Sequence, residues 1–380
     1  MTTGNITKDA MYDAVAPDDF EAMLQVDRYN DRSSAFDRII SATHDHFWDP
    51  LDKAYIDFDA PFDMEAQALM PDDFFIPMQL DYVKATLSPA DRIRFMNELV
   101  RWNLSAILHG EQGALSLSAS LCHVLRDQGA QEYAANQARE EARHVTAFAK
   151  YIRARWGSPL PCGDTLKDLM VEIVSAPEVY KKIVGMQMLI EGLAMGAFAT
   201  FYQHTTDPLG KKLFQLVMTD EAFHHKFGKL WADRTIPKLN DEEHAVVEDW
   251  AAHCFQNLLF NLVSPYQQRV VYESFGLDVD RVMLELQAVA TDELRREEMK
   301  ESTNIFRVLV KTLLNAGIIT ERTRAFYAMY VDLDELRAEG DSMVGDAIAE
   351  DGIRFLQQIN FKHAAPRASP LQSVTLLAAE

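Results

Sequence analysis

Residues 140–144 read Glu140-Glu141-Ala142-Arg143-His144, and residues 220–224 read Asp220-Glu221-Ala222-Phe223-His224. Each stretch contains a Glu-x-x-His, which on a helix puts a carboxylate and an imidazole on one face about one turn apart, within reach of a single ion. Glu111 stands thirty residues before Glu141, and Glu191 stands thirty residues before Glu221, so the pattern repeats with an offset of eighty residues. A single Glu-x-x-His in a helical chain is usually a solvated face or a buried ion pair. Six residues in two identical copies are not explained that way.

The surrounding sequence supplies the helices. Ser88-Pro89 is a start signal, with serine as N-cap and proline in the first turn, and an apolar 3/4 repeat follows to about residue 126. Gln128-Gly129 reads as the break, and a second helix runs over 130–156, closed by Gly157. A longer connection over 157–177 contains a helical stretch at 164–175. A third helix is expected over 177–205, and a fourth from Asp207-Pro208 to just before Pro237. Two pairs with short turns, joined by one longer crossover, is a connectivity used by helical bundles that hold metal between facing helices.

Around Glu111 the inward stripe reads Leu104, Ile107, Leu108, Leu115 and Ser118, and around Glu191 it reads Val184, Met188, Met195 and Phe198. Both glutamates therefore fall on the buried side. A carboxylate buried without a partner is strongly unfavourable, so four of them need compensating charge. Two divalent ions supply it, with the two histidines binding as neutral ligands. Oxygen-rich ligation with one imidazole per ion suits iron or manganese better than structural zinc.

Four further residues are candidates for supporting roles. Glu140 and Asp220 each precede a motif glutamate and can accept the distal N–H of a ligand histidine across the bundle, Arg143 can pair with such a carboxylate, and Gln187 can bond a ligand or fill a polar gap. His109, His123 and His225 have no consistent counterpart in the two copies and read as ordinary histidines. The small residues Gly110, Gly113, Gly192, Gly196 and Ala197, with Phe148, Met195 and Leu115, are expected to line a pocket. Helix packing explains such small residues equally well.

The 380 residues carry a formal charge of −21 and no dense Lys/Arg cluster, so nucleic acid is not an expected partner. Cys122, Cys162 and Cys254 form no C-x-x-C, which fits a reducing cytoplasm and argues against thiolate ligation. No leader pattern is read at the N-terminus. Residues 183–202 are long and apolar enough to span a bilayer, but Gln187 and Glu191 near the centre favour a buried bundle helix. Residues 1–87 read as a wrapping segment with a helix at 33–46 and no readable function. Residues 238–363 read as a helical extension, with helices over 241–262, 278–315 and 320–330, and residues 364–380 as a loose tail. No β pattern is found.

These motifs resemble the ferritin-like superfamily, in its di-iron oxygenase and ribonucleotide reductase small-subunit branch, over residues 88–237. The resemblance implies an all-α fold, a ferritin-like four-helix bundle with additional N- and C-terminal helices. Departures narrow it. The position of the radical tyrosine of the reductase subunits is Phe148, the extra histidine of the p-aminobenzoate N-oxygenases is replaced by Val217, the threonine of the methane monooxygenase-like hydroxylases by Met195, and the second motif arginine of the plant-type desaturases by Phe223. What the resemblance implies is two iron ions, or a manganese–iron pair, held by Glu111, Glu141, His144, Glu191, Glu221 and His224. With O₂ as co-substrate they would hydroxylate, desaturate or N-oxygenate a small organic substrate. No flavin or nicotinamide fingerprint is visible, so the electrons are expected from an external ferredoxin or flavin reductase. The alternative is a ferritin-like metal oxidase or iron-handling protein without an organic substrate, and a scaffold protein that keeps the ligands is a third reading. Substrate and assembly stay open, a homodimer included.

Overall fold

The computed structural model of the chain describes residues 12–259, 264–289, 291, 305–339 and 345–362. The architecture is an all-α bundle, and no strand occurs among the described residues beyond an isolated bridge between Ala14 and Leu125. Four long helices form its centre: the first Pro89–Val124, the second Gln128–Trp156, the third Val179–His204 and the fourth Pro208–Thr235. The first packs along the second and the third along the fourth, while the second and fourth also meet. The crossover between the pairs carries the short helix Asp164–Val174, which lies on the first bundle helix.

The helix ends follow from local chemistry. The Ser88 side chain accepts from the Asp91 N–H at 3.1 Å, and Pro89 occupies the first turn, where its missing N–H costs nothing. Gly157 adopts φ +83°, which frees the second helix to end there. The expected break at Gln128-Gly129 is displaced. It falls at 125–127, because the Asp127 carboxylate caps the second helix by accepting from Gly129 N at 2.7 Å and Ala130 N at 3.1 Å. Gly129 is thus inside the first turn, where a Cβ would lie only 2.8 Å from the Ser33 carbonyl oxygen. Its role is close approach, and chain reversal happens before it.

The third helix departs from the expected regular repeat. Ile183–Ile190 is a π-helix, and the chain returns to α geometry at Glu191. Such widened turns place side chains off the 3.6-residue repeat and concentrate at functional sites. The whole helix is long and apolar enough to cross a membrane, but 72% of its most apolar window is buried inside the bundle.

On every bundle helix the buried apolar residues change core at the same level. One apolar core takes Ala114 to Val124, Ala130 to Ala134, Val179 to Leu189 and Phe227 to Ile236 from the four helices. The other takes Phe95 to Leu108, Ala147 to Ile152, Met195 to Phe201 and Leu209 to Ala222. Glu111, the 140–144 motif and Glu191 fall in the gaps between them, and the 220–224 motif straddles the boundary, so a buried polar layer crosses the bundle between two dry cores.

The flanking segments wrap this centre. Asp241–Asn257 packs on the π segment, Ile305–Asn315 on the third helix and Asp346–Lys362 on the fourth. The 33–46 expectation resolves into a 3-10 turn, Ser34–Phe36, followed by the helix Asp37–Asp45. The pattern at 320–330 is helical over Glu321–Tyr327. Leu333–Ala338 and Asp346–Lys362 are helices without a sequence expectation. The leader reading at the N-terminus, the joins at 260–263 and 292–304, and the 364–380 tail lie outside the described residues.

Candidate metal centre

Glu111, Glu141, His144, Glu191, Glu221 and His224 converge from the four helices and are all buried. Their ligand atoms fall into two overlapping sets, Glu111, Glu141, His144 and Glu221 in one, and Glu141, Glu191, Glu221 and His224 in the other, with each set's atoms within 4.8 Å of one another. Each set can hold a metal ion. Glu141 and Glu221 belong to both sets, while Glu111 with His144 belongs to the first alone and Glu191 with His224 to the second alone.

Both imidazoles turn Nδ1 inward. His144 Nδ1 lies 3.2 Å from Glu111, 3.3 Å from Glu141 and 3.2 Å from Glu221, and His224 Nδ1 lies 3.1 Å from Glu141 and 3.2 Å from Glu221. Both turn Nε2 outward to a carboxylate of another helix, His144 to Asp220 at 2.8 Å and His224 to Glu140 at 2.9 Å. An Nε2–H donated there leaves the Nδ1 lone pair facing the cluster, the tautomer that a metal requires.

The carboxylates and imidazoles of the cluster shift one another's protonation. Burial pushes the Glu111 and Glu191 carboxyls well above the usual carboxylate range. Burial also opposes charge on Glu141 and Glu221, yet the neighbouring histidines hold both below that range. The histidines in turn rise well above their ordinary value despite burial, through Glu111 at His144 and Glu141 at His224. Glu141 Oε2 is buried and has His144 Nδ1 at 3.3 Å. Four carboxylates and two imidazoles make a donor set that two divalent cations fit: on binding, the ions would displace the protons that the imidazoles hold, and their charges would balance the four carboxylates.

Asp220 is the more elaborate of the two outer carboxylates. The Arg143 guanidinium grips both of its oxygens, Nε at 3.0 Å from Oδ2, and the Trp48 indole N–H donates to Oδ2 at 2.9 Å. His46 Nε2 lies 3.3 Å from Oδ1, and its ring stacks on Phe223. Burial alone would raise the Asp220 carboxyl, but Arg143, with His144, holds it well below the usual range. His46 and Trp48 were not anticipated, because His46 only closes the expected 33–46 helix and Trp48 follows it, and both reach Asp220 across a separation that no local repeat encodes.

Gln187 and Gln137 exchange the role expected of the first. Gln187 lies fully buried in the π segment, and its amide has no hydrogen-bond partner among the described residues. Gln137 Nε2 instead donates to Glu141 Oε1 and Glu191 Oε1, both at 3.0 Å. The available signal was its spacing, one turn before Glu141 on the same face. His109 and His123 contact the carbonyls of Leu160 and Pro17, and His225 lies buried at a separate cavity.

A cavity of about 320 Å³ opens onto Glu111 and Glu191, and Gly110 and Ala197 line it. The expected pocket residues Phe148, Met195 and Leu115 are not among its lining. Phe148 is fully buried between Phe198 and Phe214, with ring centroids 5.7 Å and 6.2 Å away, so aromatic packing consumes it. Met195 faces the cavity at His225 on the other side of its helix, and Leu115 lies a full turn beyond Glu111. Gly113 serves the approach of the crossover helix, since a Cβ there would lie 2.5 Å from Met170 Sδ, and Gly192 similarly faces Leu309 at 3.1 Å. Compared with known proteins, the chain matches no family model, no curated protein and no solved structure.

Proposed function

We propose that the protein is a non-haem di-iron oxidoreductase of ferritin-like type, which uses O₂ to hydroxylate, desaturate or N-oxygenate a small organic substrate. The observation that carries this reading is the pair of overlapping ligand sets that share Glu141 and Glu221. Glu111 and His144 would hold one ion, Glu191 and His224 the other, and the two shared carboxylates would bridge them. When bound, a ferrous pair supplies the electrons and coordination positions through which O₂ is activated.

The chain's own residues do the rest. Asp220 and Glu140 hold the histidine tautomers, Gln137 ties Glu141 to Glu191, and the two apolar cores keep bulk water from the polar layer. Glu111 and Glu191 face the cavity, which supports a substrate approach from their side of the cluster. Reducing equivalents would come from an external ferredoxin or flavin reductase.

The test is anaerobic reduction of iron-loaded protein followed by rapid mixing with O₂. The reading expects O₂ uptake and an iron-dependent absorbance change in the wild type and neither in Glu141→Ala. Uptake that is equal in both proteins would contradict it.

A further inference from the structure

The cavity that opens onto Glu111 and Glu191 lies between the first and third bundle helices, under the crossover helix. Its walls are hydrocarbon, with Trp102 and Ile107 on one side, Met170 above and Phe198 and Phe201 opposite. No Lys, Arg or His occurs among its described lining residues, and apart from the two glutamates the polar groups are Asn103, Ser264 and Gln268. These are neutral, and two are held in place: Asn103 donates to the Leu99 carbonyl at 2.8 Å, and the Gln268 amide oxygen accepts from the Tyr272 hydroxyl at 3.1 Å. Asn103 precedes Glu111 by two helical turns, which puts the two about 12 Å apart along the axis.

The lining selects by charge. An anionic group drawn into this space would lose its hydration with no cationic side chain among the described lining residues to replace it. An ammonium group would find its nearest carboxylates already engaged with metal. A hydrocarbon gains from burial along the whole length, and one neutral polar group finds partners at the Asn103 end.

We propose that this cavity binds an uncharged, predominantly apolar molecule, extended along the first bundle helix, with its hydrocarbon end against Glu111 and Glu191 and a single neutral polar group turned to Asn103, Ser264 and Gln268. As a statement about substrate class it rests on the reading of the cluster as a dimetal oxidation site. The preference for a neutral over an anionic head group belongs to the cavity lining and is measurable with or without metal.

The experiment compares decanol, decanoate and decylammonium, three probes with the same chain and different head-group charge, by calorimetry on anaerobic ferrous-loaded protein and on metal-free protein. Decanol should bind the ferrous protein at least about tenfold more tightly than either charged probe. Ala106→Phe and Ala197→Phe, which fill the cavity from opposite walls, should each weaken decanol at least about tenfold while leaving helicity and iron content unchanged. Asn103→Lys should shift the preference toward decanoate. Equal binding of decanol and decanoate, no binding of any probe, or decanol binding that survives both filling variants would overturn the proposal. Iron measured on the same samples separates the two readings: iron-loaded protein without the preference contradicts the substrate class alone, whereas protein that binds decanol but takes up no iron contradicts the oxidoreductase function.

Discussion

Asp220 on the fourth bundle helix holds the outer nitrogen of His144 on the second at 2.8 Å, and the same contact runs in reverse from Glu140 on the second to His224 on the fourth at 2.9 Å. The duplication seen in the motifs is therefore carried into the supporting carboxylates. The halves are not equal, because Asp220 is also bonded by Arg143 and Trp48 and has His46 at 3.3 Å, while Glu140 adds a longer contact with Arg143 at 3.6 Å. Loss of a supporting carboxylate typically lowers metal affinity by about 10–100-fold. Asp220→Asn should fall at the upper end of that range and Glu140→Gln at the lower, as read by competition against a chelator. Equal effects, or none, would contradict the assigned hierarchy.

Shared and terminal ligands should behave differently. Glu141→Ala and Glu221→Ala remove a carboxylate common to both sets and should abolish binding of both ions. Glu111→Ala or Glu191→Ala touches one set and should leave roughly half of the metal in place. Helicity by circular dichroism is expected to persist in all four variants. Equal metal loss in all four would argue against the bridging arrangement.

His225, which follows His224 in the chain and feels the charge of Glu221, gives a further pH signature. It is buried beside Asp346 and Lys226, and burial lowers its pKa from 6.5 to about 4. The unfolded chain therefore takes up the proton first as pH falls. The stability contributed by keeping His225 neutral is complete above about 6.5 and is lost progressively on the way down to about 4. Denaturant unfolding of wild type and His225→Gln at pH 7 and pH 5 should show the wild type losing about 2 kcal/mol more than the variant over that interval. Parallel losses would show that His225 does not titrate as its burial requires.

Phe148 tests the aromatic core rather than the site. It sits fully buried against Phe198 and Phe214, so Phe148→Ala should cost about 3–5 kcal/mol in unfolding free energy. Metal content of the folded fraction should be unchanged. A variant that lost metal but not stability would place Phe148 at the site after all.

The sequence made the bundle readable because its signals are local. Ser88-Pro89, Asp207-Pro208 and Gly157 mark helix ends through caps and backbone limits that operate within one turn, and the eighty-residue offset brings the six converging residues into view without any contact information. What escaped detection depends on distant contacts. His46 and Trp48 come from the wrapping segment to reach Asp220, and Gly129 owes its identity to the passing Ser33 carbonyl. The π segment ahead of Glu191 breaks the regular repeat by widening the helix; Met195 beyond it lines a different cavity, and of the two roles read for Gln187 the structure shows no hydrogen bond to a ligand among the described residues. Which apolar residues line a cavity and which fill a core is decided by packing between helices, and Phe148 was misassigned for that reason.

The central claim is that the cluster holds two metal ions, and the most direct measurement is a metal titration of chelator-stripped protein with Fe(II) under anaerobic conditions, read by elemental analysis after desalting. The account predicts about two irons per chain in the wild type and almost none in Glu141→Ala. Wild-type protein that retains no iron, or that retains as much as Glu141→Ala, would contradict it.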